Sequence, residues 1–84
     1  MKISYTNHAL KKFSDFKVFQ IIVTKTQISR AINHPKHESR DNGNEISSSS
    51  FDRNHNLRVV HKEENGVIIV ITFYICRKGR YGEH

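Results

Sequence analysis

This sequence is short of several things: one cysteine, one proline and no tryptophan in 84 residues. The single thiol, Cys76, excludes an intrachain disulfide, so burial and hydrogen bonding must hold the fold, and a reducing cytoplasm is the expected compartment. Long apolar runs are absent too. The longest, 67–76, is far below the ~20 residues a membrane-spanning helix needs, and MKISYTNHALKK holds no apolar stretch of the secretory kind. No membrane partner is expected. Metal-ligand spacing is also missing. Six histidines are scattered, and the one close pair, His34 and His37, flanks Pro35 in an expected loop. There is no glycine-rich phosphate loop and no nucleophile elbow. No metal and no cofactor are expected.

Acidic residues are in deficit: 14 Lys and Arg stand against 8 Asp and Glu, for a formal net charge of +6. Such a field favours polyanions, whether nucleic acid or an acidic protein. A chain this short forms one domain, 1–84, with apolar residues (36%) for a single small core.

Ile3-Ser4-Tyr5 alternates as a strand does. Thr6 or Asn7 can cap a helix whose apolar stripe is Ala9, Leu10, Phe13 and Phe16. Thr24 or Thr26 can start a second helix through Ile28, Ala31 and Ile32, which Asn33-His34-Pro35 ends because proline disfavours helical backbone before it. The polar stretch 36–45 is expected to be a surface loop with a turn at Asp41-Asn42-Gly43. The serine-rich 46–51 segment reads as a mobile loop or a weak strand, with an edge strand preferred.

Residues 57–63 and 67–76 read as strands joined through Glu64-Asn65-Gly66. A two-residue Asn-Gly loop pairs Val60 with Ile71; a three-residue loop with Gly66 left-handed pairs Val59 with Ile71. The second is preferred because it places Leu57, Val59, Ile69, Ile71 and Phe73 on one face. Arg58, Val60, Ile68, Val70, Thr72 and Tyr74 then share the other. Residues 77–84 form a basic tail. The fold class expected is α+β: an N-terminal strand and two short helices on one face of an antiparallel sheet of three to four strands.

This order, with Ser4-Tyr5-Thr6-Asn7-His8-Ala9, Ile28-Ser29-Arg30-Ala31-Ile32-Asn33-His34-Pro35, Leu57-Arg58-Val59-Val60 and Val70-Ile71-Thr72-Phe73-Tyr74, resembles the RelE/ParE toxin superfamily. Within it, the chain is most similar to a family of small proteins of unassigned function. That family often carries Arg/Lys-Met-x-x-Arg-Gly after the His-Ala; here Lys11-Lys12-Phe13-Ser14-Asp15-Phe16 stands there, followed by an apolar insert through Val23.

The resemblance implies a toxin of a toxin–antitoxin pair, a metal-independent endoribonuclease acting on mRNA, ribosome-associated in some members, with an acidic antitoxin as protein partner. The alternative on the same fold is a non-catalytic nucleic-acid-binding or regulatory protein. Metal-free cleavage needs a proton acceptor for the ribose 2′-oxygen, cations at the phosphorane and a proton donor for the leaving oxygen. The catalytic candidates are His8, Arg58, Tyr74, Arg80 and Tyr81. His8 opens a helix, where free N–H groups attract phosphate. Arg58 lies mid-strand, where a charge needs a phosphate or an acidic side chain. By the resemblance, Arg80 and Tyr81 match terminal Arg/Tyr elements, in which tyrosine stacks on a base and arginine holds phosphate. Lys11, Lys12, Thr72, Arg77 and Lys78 are the candidate nucleic-acid contacts.

Overall fold

Thr6 organises the first half of the chain. In the computed structural model, which describes residues 1–84, strand β1 (Lys2–Tyr5) runs into Thr6, whose backbone is extended (φ −68°, ψ 162°). Its hydroxyl accepts from the Ala9 amide, satisfying one of the free N–H groups that open helix α1 (Asn7–Val18). The same hydroxyl donates to the Ile71 carbonyl at 2.9 Å, and the Thr6 amide donates to the Val70 carbonyl at 3.0 Å. One residue thus caps the helix and ties it to the last strand. Helix α2 (Lys25–Asn33) starts with a reciprocal capping box between Thr24 and Gln27 and stops ahead of Pro35.

Four strands follow: β2 (His37–Asp41), β3 (Asn44–Ser50), β4 (His55–Glu64) and β5 (Val67–Arg77). The sheet order is β1-β5-β4-β3-β2, with β1 parallel to β5 and every other pair antiparallel. The α+β class holds as expected, but the sheet has five strands and is mixed. Residues 36–45 are not a loop: they hold β2 and the Asn42-Gly43 turn into β3. A strand of His-Glu-Ser-Arg-Asp has no apolar face to announce it, because it is an exposed edge where charge discourages further pairing. The serine tract is β3, and it lies inside the sheet between β2 and β4.

The β4–β5 register also differs from the preferred one. The connection is the two-residue turn Asn65-Gly66, with both φ positive (52° and 77°), the twist that suits a tight hairpin and that Gly66 adopts without strain. Glu64 pairs with Val67 and His61 with Val70, but Val60 pairs with Thr72, so Ile71 is the extra residue of a β-bulge. The bulge changes which β5 residues face the helices. Val70 and Phe73 join Leu57 and Val59 in the core with Ala9, Val23, Ile28 and Ala31. Phe13 and Phe16 of α1 pack on Phe73 at ring-centroid distances of 4.8 and 5.9 Å. Both helices lie on this one face. No helix is long and apolar enough to cross a membrane.

Candidate functional site

The face opposite the helices carries a rung of polar side chains across four strands, starting at His37 of β2, which pairs with Ser48 and whose Nε2 is buried without a hydrogen-bond partner. Ser48 of β3 pairs with Arg58 of β4, which pairs with Tyr74 of β5. The next rung is Ser50, Asn56 and Cys76. Thr72, opposite Val60, lies one pleat along the same face. Beyond β5 the chain turns back over these rungs. Gly79 (φ 90°) permits the turn in a left-handed conformation that a side chain rarely adopts, and a Cβ there would stand 2.9 Å from the exposed His84 ring, which would have to swing aside.

The returning segment covers Arg58, which is only 5% exposed. Its guanidinium carbon lies 3.7 Å from the Tyr81 ring centroid and 5.5 Å from that of Tyr74. Arg80 lies 5.8 Å from the same Tyr81 ring. A Glu83 carboxylate oxygen is 3.6 Å from Arg58 Nε, an ion pair too long for a hydrogen bond. Ser48 Oγ donates to that oxygen at 2.9 Å, and Asn56 Nδ2 donates to the Glu83 backbone carbonyl at 3.2 Å. Arg58 Nε and Nη1, Asn56 Oδ1 and Thr72 Oγ1 are buried with no hydrogen-bond partner. Burial pushes the Tyr74 phenol above its ordinary value, against the lowering effect of Arg58. Burial likewise raises the Cys76 thiol, with Arg58 and Arg80 pulling the other way.

At the end of the sheet where this segment departs, Arg53, Asn54, Arg77 and Lys78 line an open cavity of about 370 Å³ with no acidic group in its wall. The Lys78 amide donates to the Asn54 carbonyl, which anchors the segment there.

Four of the five candidate catalytic residues therefore meet: Arg58, Tyr74, Arg80 and Tyr81. Thr72 shares their face, and Arg77 and Lys78 flank it. His8, Lys11 and Lys12 do not join them. All three belong to α1, which packs on the other side of the sheet. Lys11 pairs with Asp15 at 3.2 Å, and Lys12 lies 5.7 Å from the Phe16 ring centroid. The residues missed in the sequence are Ser48, Asn56 and Glu83, together with Arg53. A lone acid in an otherwise basic 77–84 segment was the available signal for Glu83.

A second polar cluster lies on the helix side. Ser47 Oγ and His61 Nε2 are 2.8 Å apart and both residues are buried. His61 borders a cavity of about 350 Å³ shared with Arg40, Glu45, Lys62 and Glu63. Burial holds its imidazole below the ordinary value, opposed by the carboxylates of Glu45 and Glu38. Neither side chain is left buried without a partner, so the cluster reads as a satisfied polar inclusion.

Comparison with protein-family models, with curated proteins and with solved structures finds no match.

Proposed function

We propose that this chain is an RNA-directed protein of the RelE/ParE toxin type, whose RNA site is the sheet face around Arg58. The observation that carries this is Arg58 itself: a buried guanidinium, stacked on Tyr81, with two N–H groups lacking an acceptor. Guanidinium donors in that state suit a phosphate, and the neighbouring tyrosines offer a surface on which a base stacks. The cations of Arg77, Lys78, Arg80 and Arg53 extend the positive surface along which a strand would run. An acidic antitoxin is the protein partner that this reading implies.

Metal-independent cleavage is the chemistry proposed for that site. Arg58 would neutralise the phosphorane, Arg80 and Tyr81 would close over the bound strand to add a second cation and a stacking face for a base, and the protonated Tyr74 phenol would donate a hydrogen bond. One observation favours the second reading, binding without cleavage: the Tyr74 phenol, pushed upward by burial, makes a poor base near neutrality, which leaves His37, beside Ser48 on this face, as the one imidazole a cleavage mechanism could use.

Two measurements test these readings. Labelled single-stranded RNA should bind with a log–log salt slope near −2, at about −0.7 per phosphate contact for roughly three contacts. Arg58→Met should weaken that binding by about tenfold, the loss of one charged contact. Induction in bacterial cells should stop growth, and Arg80→Ala should relieve the arrest. Absence of RNA binding at low salt would end the proposal; binding with intact RNA would select the non-catalytic reading.

A further inference from the structure

The contact between Arg58 and Glu83 is poorly built for a permanent ion pair. Buried arginine–carboxylate pairs gain most when two parallel hydrogen bonds form, which offsets the loss of hydration. Here the contact is a single 3.6 Å approach, and two guanidinium N–H groups remain unmatched. The carboxylate also comes from a segment that is otherwise cationic at Arg77, Lys78 and Arg80.

Apart from the Tyr81 ring, which stacks on Arg58 and meets Tyr74 edge-on, the segment's other attachments are polar and replaceable. Asn56 holds the Glu83 carbonyl, Lys36 Nζ donates to the His84 carbonyl at 3.0 Å, and Ser48 donates to the Glu83 carboxylate. Apart from Glu83, nothing from residue 78 onward is buried, and Tyr81 is half exposed. Segments with few buried apolar contacts open at low free energy. Beneath this one, Ser48 and Asn56 present donors beside the Arg58 guanidinium, and no acidic side chain of the sheet is within reach of them. Such a set recognises an anion.

We infer that residues 79–84 are a displaceable occupant of a phosphate site: the Glu83 carboxylate stands where a phosphodiester binds, against Arg58, Ser48 and Asn56, and the ligand enters by lifting the segment. The inference rests on the RNA reading only for the source of the phosphodiester. A carboxylate tethered beside the site competes at an effective concentration in the millimolar range, so an isolated anion opens the site only when present in excess of that concentration. A polyanion that also engages Arg77, Lys78 and Arg53 outcompetes it.

The test begins with the wild-type chain. Excess inorganic phosphate, compared with chloride at equal ionic strength, should speed tryptic cutting after Lys78 and Arg80 severalfold. Equal cutting rates would overturn the inference. Glu83→Gln keeps an acceptor for Ser48 and removes the charge. Its Arg58 Nε–H resonance should titrate with inorganic phosphate about tenfold more tightly than in the wild type. Glu64→Gln, the same charge change at an exposed glutamate paired with Lys62, should leave the phosphate affinity unchanged. Equal affinity of Glu83→Gln and wild type would overturn the inference, as would an equal gain in Glu64→Gln. A short oligouridylate separates the two readings: if the phosphate responses appear but the oligonucleotide does not bind, the displaceable segment stands and the RNA assignment falls.

Discussion

Replacing Arg58 with methionine tests how firmly Glu83 is held. At 3.6 Å the pair's Coulomb attraction is ~5 kcal/mol for an effective dielectric near 20, before either group's dehydration is subtracted. In a rigid core, removing one partner of a buried pair costs about 3–5 kcal/mol, because the other charge is stranded. Glu83 is not stranded if its segment can lift into water. The global loss is then limited to the free energy of docking the segment, about 1–2 kcal/mol once the cost of ordering its residues offsets one stacked guanidinium and two or three polar contacts. With a urea slope near 1–1.5 kcal/mol/M for a domain of this size, the midpoint should fall by about 1 M. Urea unfolding followed by circular dichroism, for Arg58→Met, Glu83→Gln and the double variant, gives the coupling energy, expected near 1 kcal/mol. A loss above about 3 kcal/mol in Arg58→Met would refute the reasoning, since it would mean that the carboxylate is locked into the core.

Phe73 is fully buried between Phe13, Phe16 and the sheet, so Phe73→Ala should cost about 3–5 kcal/mol, which thermal unfolding would read as a largely melted protein at 37 °C. Gly66→Ala meets no steric neighbour but forces a side chain into φ 77°; a loss of about 1 kcal/mol is expected, with faster amide exchange in the β4–β5 hairpin. The pH dependence of stability follows from His61. Its folded-state value lies below the ordinary 6.5, so the unfolded chain takes up the proton first. Stability from this group is present above pH 6.5 and is lost as pH falls through the folded-state value. His61→Gln should flatten that slope in denaturation midpoints measured between pH 7 and 5.

The two helices were legible because their signals are local: Thr6 and Thr24 as caps, the apolar spacing from Ala9 to Phe16, and the stop before Pro35. The β4–β5 hairpin was legible as two apolar runs around Asn65-Gly66. Its register was not, because the assumption of unbroken alternation favoured a three-residue loop, whereas the bulge at Ile71 lets a two-residue turn keep Val59 and Phe73 on the same face. β2 escaped notice because an edge strand needs no apolar side. The interior place of β3 escaped because Ser47 and Ser48 are buried by partners remote in the chain, His61 and Glu83.

Composition and short-range pattern determined the α+β class, the excess of positive charge and the mid-strand places of Arg58 and Tyr74, while Arg80 and Tyr81 were marked by the resemblance to the RelE/ParE toxins. Helix caps and tight turns are decided within a few residues, so they are written in order along the chain. Only the tertiary structure decided that these four side chains meet while His8, Lys11 and Lys12 lie behind the sheet. Only it showed that Glu83 folds back to sit against Arg58. Which side of a strand a residue faces depends on every bulge between it and its partner, and a salt bridge across 25 positions exists only once the chain has returned on itself.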